Sequence, residues 1–407
     1  MKRNFKKNTV WNLIGTTINA FSSLFFMIIV TRINGISDAG IFTFGFSIAT
    51  MFNIIGVYAG RIYQVTEKSN ISDKDFLINR IFSCLAMLII SIFFVLINRY
   101  SIDKALIIIL LCIIKMFEAF ADVIYGILQK NFDLYKVGIS LTLKNIIGLI
   151  TFILVDLFTS DIVLSICGFL FVYFLFMIFI DLRECDLKMI STQKSTLKNV
   201  KTIFLKGFTT FIMTFLTLYI INSSKYVIDK FGTNSDQAIF GIIIMPATMM
   251  ILVAQFVIHP FLIIIDDKIK NNRYSDLLKL ILKISLFIFF VGLIGVSCCH
   301  LIGIKILNII YGMNLEKYTL CLDIIIFGSI FYALTSIFNT VLIAMRHTAI
   351  QMIIYLISSL SAFILSYFFV KYYGIIGASL NYFIVMIVNY LAFLICFMII
   401  YKKEVKH

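Results

Sequence analysis

The chain has 407 residues, of which 61% are hydrophobic and only 14% charged, with a formal net charge of +14. Soluble domains carry about 25% charged and about 45–50% apolar residues. Here apolar runs long enough to cross a bilayer, about 18 residues or more, recur from end to end, which excludes a soluble fold and predicts an all-α polytopic membrane protein.

Twelve spans are predicted, near 9–30, 40–60, 81–98, 105–128, 137–158, 162–180, 207–228, 238–265, 280–304, 320–345, 349–370 and 375–400. Each covers a hydrocarbon core of about 30 Å at about 1.5 Å per residue. The basic start (Lys2, Arg3, Lys6, Lys7) leads into the first span without a small-residue cleavage site, so this span is expected to be an uncleaved anchor. With twelve spans both termini share a side. Segments on that side hold 25 of the 35 Lys and Arg residues, the opposite side holds eight, and Lys115 and Lys144 fall inside spans. The positive-inside rule therefore predicts that both termini are cytoplasmic. The basic balance is a signal of topology and of inner-leaflet anchoring, and no nucleic-acid partner is expected.

The first half closes with the longest connection, Leu182 to Lys206, which predicts a lobe at 1–182, a cytoplasmic linker at 183–206 and a second lobe at 207–407. Leu197, Val200 and Phe204 recur at helical spacing beside Lys198 and Lys201, which predicts a short amphipathic helix on the membrane surface. An internal repeat supports the division. Ser37-Asp38-Ala39-Gly40-Ile41-Phe42 is echoed by Ser235-Asp236-Gln237-Ala238-Ile239-Phe240, each copy in the outer turn between the first two spans of its half. Copies six spans apart have the same orientation. Such a parallel repeat places a substrate path between the halves.

The fourth span carries the most informative residues. Lys115, Glu118 and Asp122 are spaced three and then four apart, so a helix stacks them on one face. A charge at mid-membrane costs about 2.5–3.5 kcal/mol on insertion scales, so this face should look into the bundle and mark a path for something polar. The bland alternative is an ion pair that only fixes packing. Asp122 and Lys144 are predicted at similar depths, roughly 10 Å from the inner face, where they are able to pair; snorkelling of Lys144 to the headgroups is the alternative. Arg61 ends the second span as anchor or gate. Lys225 and Asp229 lie near the outer end of the seventh span. Pro246 and Pro260, the two prolines of the chain, fall in the eighth and predict a hinge there.

Conventional chemistry leaves little trace. The eight cysteines include no C-x-x-C pair, and the four histidines, His259, His300, His347 and His407, are scattered. No zinc site, disulfide framework, cofactor or enzyme signature is expected. The connections are too short for a catalytic or nucleotide-binding domain.

Several short motifs resemble the polysaccharide repeat-unit flippases of the multidrug/oligosaccharidyl-lipid/polysaccharide exporter superfamily. They are Trp11-Asn12, Val30-Thr31-Arg32-Ile33 with the Gly35–Phe44 turn, Arg61-Ile62-Tyr63-Gln64, Asn222 to Asp229, Phe240-Gly241, Met245-Pro246-Ala247 and Gly374 to Ala378. His259 before Pro260 departs from the arginine expected of relatives. The resemblance implies two six-helix lobes around a central cavity and translocation of undecaprenyl-diphosphate-linked oligosaccharides by alternating access, with polysaccharide polymerase and glycosyltransferases as candidate partners. On that reading Lys115, Arg61, Lys225 and Lys144 bind the diphosphate, while Glu118, Asp122 and Asp229 pair with them or exchange with a coupling ion. Two other functions stay open at this point: an ion-coupled multidrug or metabolite antiporter of the same fold, and an integral-membrane polysaccharide polymerase.

Overall fold

The structure, a computed structural model, describes residues 2–58, 60–67, 71–185 and 190–404, without the side chains of residues 2–5, 252, 253, 255, 256 and 259. Residues 186–189 of the expected linker and the side chain of His259 thus lie outside the described residues. Among the described residues the chain is helical throughout, with no strand. It divides into two compact units, Met1–Phe215 and Leu216–His407.

The first unit begins with α1 (Lys2–Ile33), α2 (Ile36–Val57), the short α3 (Gly60–Thr66), α4 (Asp73–Asn98), α5 (Ile102–Lys130), α6 (Leu134–Thr159) and α7 (Ile162–Phe176). A π-helical turn, Met177–Asp181, ends α7. Next comes α8 (Leu197–Phe231), which crosses the border between the units. The second unit continues with α9 (Asn234–Ile243), α10 (Met245–Ile258), α11 (Leu262–Lys270), α12 (Tyr274–Cys298), α13 (Ile304–Tyr311), α14 (Thr319–Ala344) and α15 (Thr348–Glu404).

Nine helical stretches among the described residues are long and apolar enough to span a membrane. Three more complete the twelve expected from the sequence. The 29-residue α5 has the length but is interrupted by its three mid-helix charges. The eighth span is split into α9, α10 and α11: a turn at Ile244 precedes Pro246, and a 3-10 turn, His259–Phe261, contains Pro260. The 57-residue α15 holds two spans joined at Gly374, whose φ of 56° only glycine adopts without strain.

The helices are turned inside out relative to a soluble bundle. In α4, Ile81, Phe82, Leu85, Ile89, Phe93, Leu96 and Ile97 are exposed, whereas Asn79, Arg80, Ser83 and Ser91 are buried. Apolar side chains thus face the lipid and polar ones are kept for helix contacts, where buried groups such as Arg80 and Ser83 find hydrogen-bond partners. Close contact between α1 and α6 depends on glycine. A Cβ on Gly138 would strike the backbone carbonyl of Trp11, and one on Gly15 would strike Gly138 itself. Small residues of this kind let membrane helices approach at the backbone.

The linker does not form the separate surface helix expected. Leu197 to Phe231 is one continuous helix of 35 residues, because no proline or positive-φ glycine separates the amphipathic stretch from the seventh span. Its Leu197 is exposed, and Val200 and Ile203 are buried. The preceding segment is fastened to the first unit by Asp75, which also closes the capping box at the start of α4 with Ser72. Asp75 accepts hydrogen bonds from Ser195 Oγ (2.7 Å), the Thr196 amide (3.1 Å) and Asn199 Nδ2 (2.9 Å). The two copies of the internal repeat open α2 and α9, with Phe42 and Phe240 both buried.

Candidate functional site

Helix α5 places Lys115, Glu118 and Asp122 on one face, as its spacing requires. Lys115 Nζ bonds Glu118 Oε2 at 2.7 Å, and both side chains are mostly buried. The ammonium also lies 4.9 Å from the centroid of the Phe46 ring on α2, a cation–π contact that partly replaces lost hydration.

One turn further, Asp122 is held by two arginines. Arg80 Nη2 donates to Asp122 Oδ2 at 3.2 Å, and Arg61 Nε lies 3.9 Å from Oδ1. Arg80 is 4% exposed. Its Nη1 donates to the Gly56 carbonyl at 3.1 Å, one of the oxygens that the end of a helix leaves without an intrahelical partner. The chain turns immediately after this, at Tyr58 with φ 48° and Gly60 with φ 69°, and so brings Arg61 back over α5 on α3. Buried Gln64 then pins α3 by donating to the Val123 carbonyl at 3.1 Å, and Gly126 leaves the space in which its amide lies.

Lys144 comes from α6. It is 2% exposed, and Nζ donates to the Tyr125 hydroxyl at 2.8 Å. The expected pair with Asp122 is not formed; the arginines have taken that carboxylate and the tyrosine has taken the lysine. Beside Lys144, Asn145 donates to Asn19 Oδ1 of α1 at 3.1 Å and accepts from the Tyr173 hydroxyl of α7 at 3.1 Å.

These groups surround a cavity of about 190 Å³ within the first unit, far above the ~10–15 Å³ that one water needs. Arg61, Glu118, Asp122, Tyr125 and Lys144 line it, with Thr16 and Asn19 of α1 and Asn53 of α2 supplying neutral polar groups. Lys115 stands one pair back. It lines a smaller, phenylalanine-walled pocket, and Glu118 belongs to both walls. Four basic side chains (Arg61, Arg80, Lys115, Lys144) are thus gathered around two carboxylates on or beside one cavity. Sequence reasoning counted Arg80 among the inner-face anchors and passed over Tyr125. The available signal for Arg80 was its place seven residues into a helix that carries no further charge after it.

Lys225 and Asp229 belong to the second unit, both half-buried on α8. Their neighbours tie α8 to α15: Ser224 Oγ donates to the Ala378 carbonyl at 3.0 Å, and Asn381 Nδ2 donates to Ser223 and Ser224 at 3.2 and 2.9 Å. Among the described residues no group of three or more His, Cys, Asp or Glu is placed to hold a metal ion.

No family model matches the chain. A capsular polysaccharide biosynthesis protein, CapF of Staphylococcus aureus, is 23% identical over 381 residues, covering 92% of this chain and 94% of that protein. Among solved structures, an inward-facing multidrug resistance transporter of the MATE family superposes with a TM-score of 0.74 at 12% identity, over 96% of this chain and 99% of the other. The lipid II flippase MurJ, in an inward closed conformation, gives 0.73 at 19% identity, over 95% and 87%. The fold is therefore the one seen in the MATE-family transporter and in MurJ, and the sequence likeness is to a capsular polysaccharide biosynthesis protein.

Proposed function

We propose that this protein is a flippase that moves undecaprenyl-diphosphate-linked oligosaccharide repeat units from the cytoplasmic to the outer leaflet by alternating access. The observation that carries the proposal is the gathering of four basic side chains around two carboxylates on or beside the cavity of the first unit. Glu118 is already paired with Lys115, and Asp122 with Arg80 and Arg61, while Lys144 adds a further positive group. A diphosphate has many acceptor oxygens and negative charge, which arginine and lysine donors meet with strong charge-assisted hydrogen bonds. Arg61 and Lys144 are assigned to direct contact, Lys115 to a second contact reached when Glu118 turns away, and Lys225 to a later station in the second unit. Neutral acceptors and donors such as Asn19 and Asn53 suit sugar hydroxyls. The prenyl tail stays in lipid, so the cavity has to admit only the headgroup and glycan. Likeness to CapF along nearly the full length and to the MurJ fold supports the same class of cargo.

A second reading is favoured by the MATE likeness: an ion-coupled antiporter for drugs or metabolites. A site for organic cations would carry surplus acid, whereas here bases outnumber the acids on or beside the cavity. The test is complementation of a strain lacking its capsular flippase, scored by surface polysaccharide, alongside efflux of a cationic dye from the same cells. Restored capsule without dye efflux is the expected result. Dye efflux without capsule would replace the flippase reading by the antiporter.

A further inference from the structure

Behind the cavity wall lies a second buried charge that the diphosphate reading does not use. Asp181 is 3% exposed and closes the π-helical turn Met177–Asp181 at the inner end of α7. Turns of this type insert a residue into a helix and are frequent at functional sites. Ser140 Oγ donates to Asp181 Oδ1 at 2.6 Å, and the Tyr125 hydroxyl donates to the two carboxylate oxygens at 3.3 and 3.4 Å. The same hydroxyl accepts from Lys144 Nζ at 2.8 Å. Tyr125, Ser140 and Lys144 are each 4% exposed or less. Around them pack Ile124, Val137, Leu141 and Met177.

The hydroxyls of Tyr125 and Ser140, themselves 3.1 Å apart, link Lys144 to Asp181. Tyr125 has a single hydroxyl proton, and its oxygen accepts from Lys144, so that proton goes either to Asp181 directly or to Ser140 Oγ, whose own proton then goes to Asp181. Ser140 spends its proton on the same carboxylate. An ionised Asp181 accepts from both hydroxyls, and Lys144 donates at the far end. An ammonium in a low-dielectric interior keeps its proton only when negative charge lies near, and hydrogen bonds aligned in one direction polarise one another. The charged groups that line the cavity beside Lys144 are Glu118, Asp122 and Arg61. Glu118 is bonded to Lys115 and Asp122 to two arginines, and Asp181 is the carboxylate linked to Lys144 through a single hydroxyl.

We propose that Asp181, acting through Tyr125 and Ser140, is the counter-charge that holds Lys144 as a cation at the cavity wall, and that these three are positioning residues for an anion-binding lysine. The consequence for cargo rests on the flippase reading; the charge pairing does not. When a diphosphate engages Lys144, the ammonium exchanges one anion for another, and the tyrosine keeps Asp181 solvated meanwhile.

The experiment is amine acylation of the purified full-length protein at neutral pH, with modified lysines quantified by mass spectrometry and exposed Lys198 as internal standard. Only an unprotonated amine reacts. Asp181→Asn should raise modification of Lys144 by about tenfold relative to Lys198, and Asp181→Glu should restore the wild-type level. Tyr125→Phe, which cuts the relay without changing charge or packing, should raise it as well and stands in if Asp181→Asn unfolds, a failure that would show as an equal rise at Lys115. Unchanged Lys144 modification in both Asp181→Asn and Tyr125→Phe overturns the proposal. A parallel arm measures binding of undecaprenyl diphosphate in detergent, where wild type should bind and Asp181→Asn should lose about tenfold. Changed lysine reactivity with no binding by wild type would uphold the charge pairing and remove the flippase reading; binding that is equal in wild type and Asp181→Asn would overturn the inference alone.

Discussion

Arg80 illustrates what a membrane interior does to a basic residue that sequence position assigns to the surface. It lies deep in the first unit, bonded to Asp122 and to the free carbonyl at the end of α2. Removing one partner of a buried charge pair leaves the other uncompensated, at a cost of about 3–5 kcal/mol. Arg80→Ala should therefore lower the thermal stability of the detergent-solubilised protein markedly, while Arg61→Ala, whose side chain is partly exposed at 3.9 Å from the same carboxylate, should change it little. Equal losses for the two arginines would contradict the division of roles. Lys115 gives the complementary case. Lys115→Ala should insert normally, because an apolar side chain enters a membrane more easily than a charged one, and should abolish translocation of the lipid-linked glycan. Lys115→Arg keeps the charge in a different geometry and should retain part of the activity. Full activity of Lys115→Ala at normal membrane levels would reduce the residue to a packing pair.

At the scale of elements, what was legible in the sequence was what depends on a single helix. The face shared by Lys115, Glu118 and Asp122 follows from helical spacing alone, and the Lys115–Glu118 bond has the expected i,i+3 form. Partners from other helices were not legible, since Arg80 and Asp122 are 42 residues apart, and Tyr125 and Asp181 are 56 apart. Without contacts in hand, depth was the sole guide for Lys144, and depth offered Asp122 as a partner, whereas its hydrogen bond goes to Tyr125. Likewise, the twelve spans were readable from hydropathy, whereas the continuity of α8 through the linker depended on the absence of a break that composition does not advertise. The eighth span shows the reverse. Its interruptions at Ile244 and at His259–Phe261 sit where the prolines remove amide donors. If these are hinges for alternating access, Pro246→Ala should leave the membrane level of the protein unchanged and slow transport several-fold. Transport at the wild-type rate would assign the proline to shape alone.

For the molecule as a whole, the distribution of 35 basic residues and the charge of the proposed cargo make connected predictions. The distribution of basic residues predicts cytoplasmic termini, so a fluorescent protein fused after Glu404 should fluoresce, and alkaline phosphatase fused there should be inactive; the opposite pair of results would invert the topology. Given that orientation, outward movement of a diphosphate carries negative charge toward the positive side of an energised membrane. Each charge moved through the full potential contributes about 2.3 kcal/mol per 100 mV, so two uncompensated charges would bias the leaflet ratio by several orders of magnitude. The cations around the cavity set how much of this is realised, because lysines and arginines that travel with the headgroup cancel its charge, whereas residues that release it at each face do not. Arg61, Arg80, Lys115 and Lys144 are all bonded to acids or to a tyrosine that keeps them in place. A site whose cations are tethered in this way hands the anion on instead of moving with it. Translocation in proteoliposomes should therefore accelerate when an inside-negative potential is imposed and slow when it is collapsed, with no change on altering the proton gradient at constant potential. A rate that follows the proton gradient and ignores the potential would mean that protons, taken up by Glu118 or Asp122 as the pairs open, neutralise the cargo on its way across.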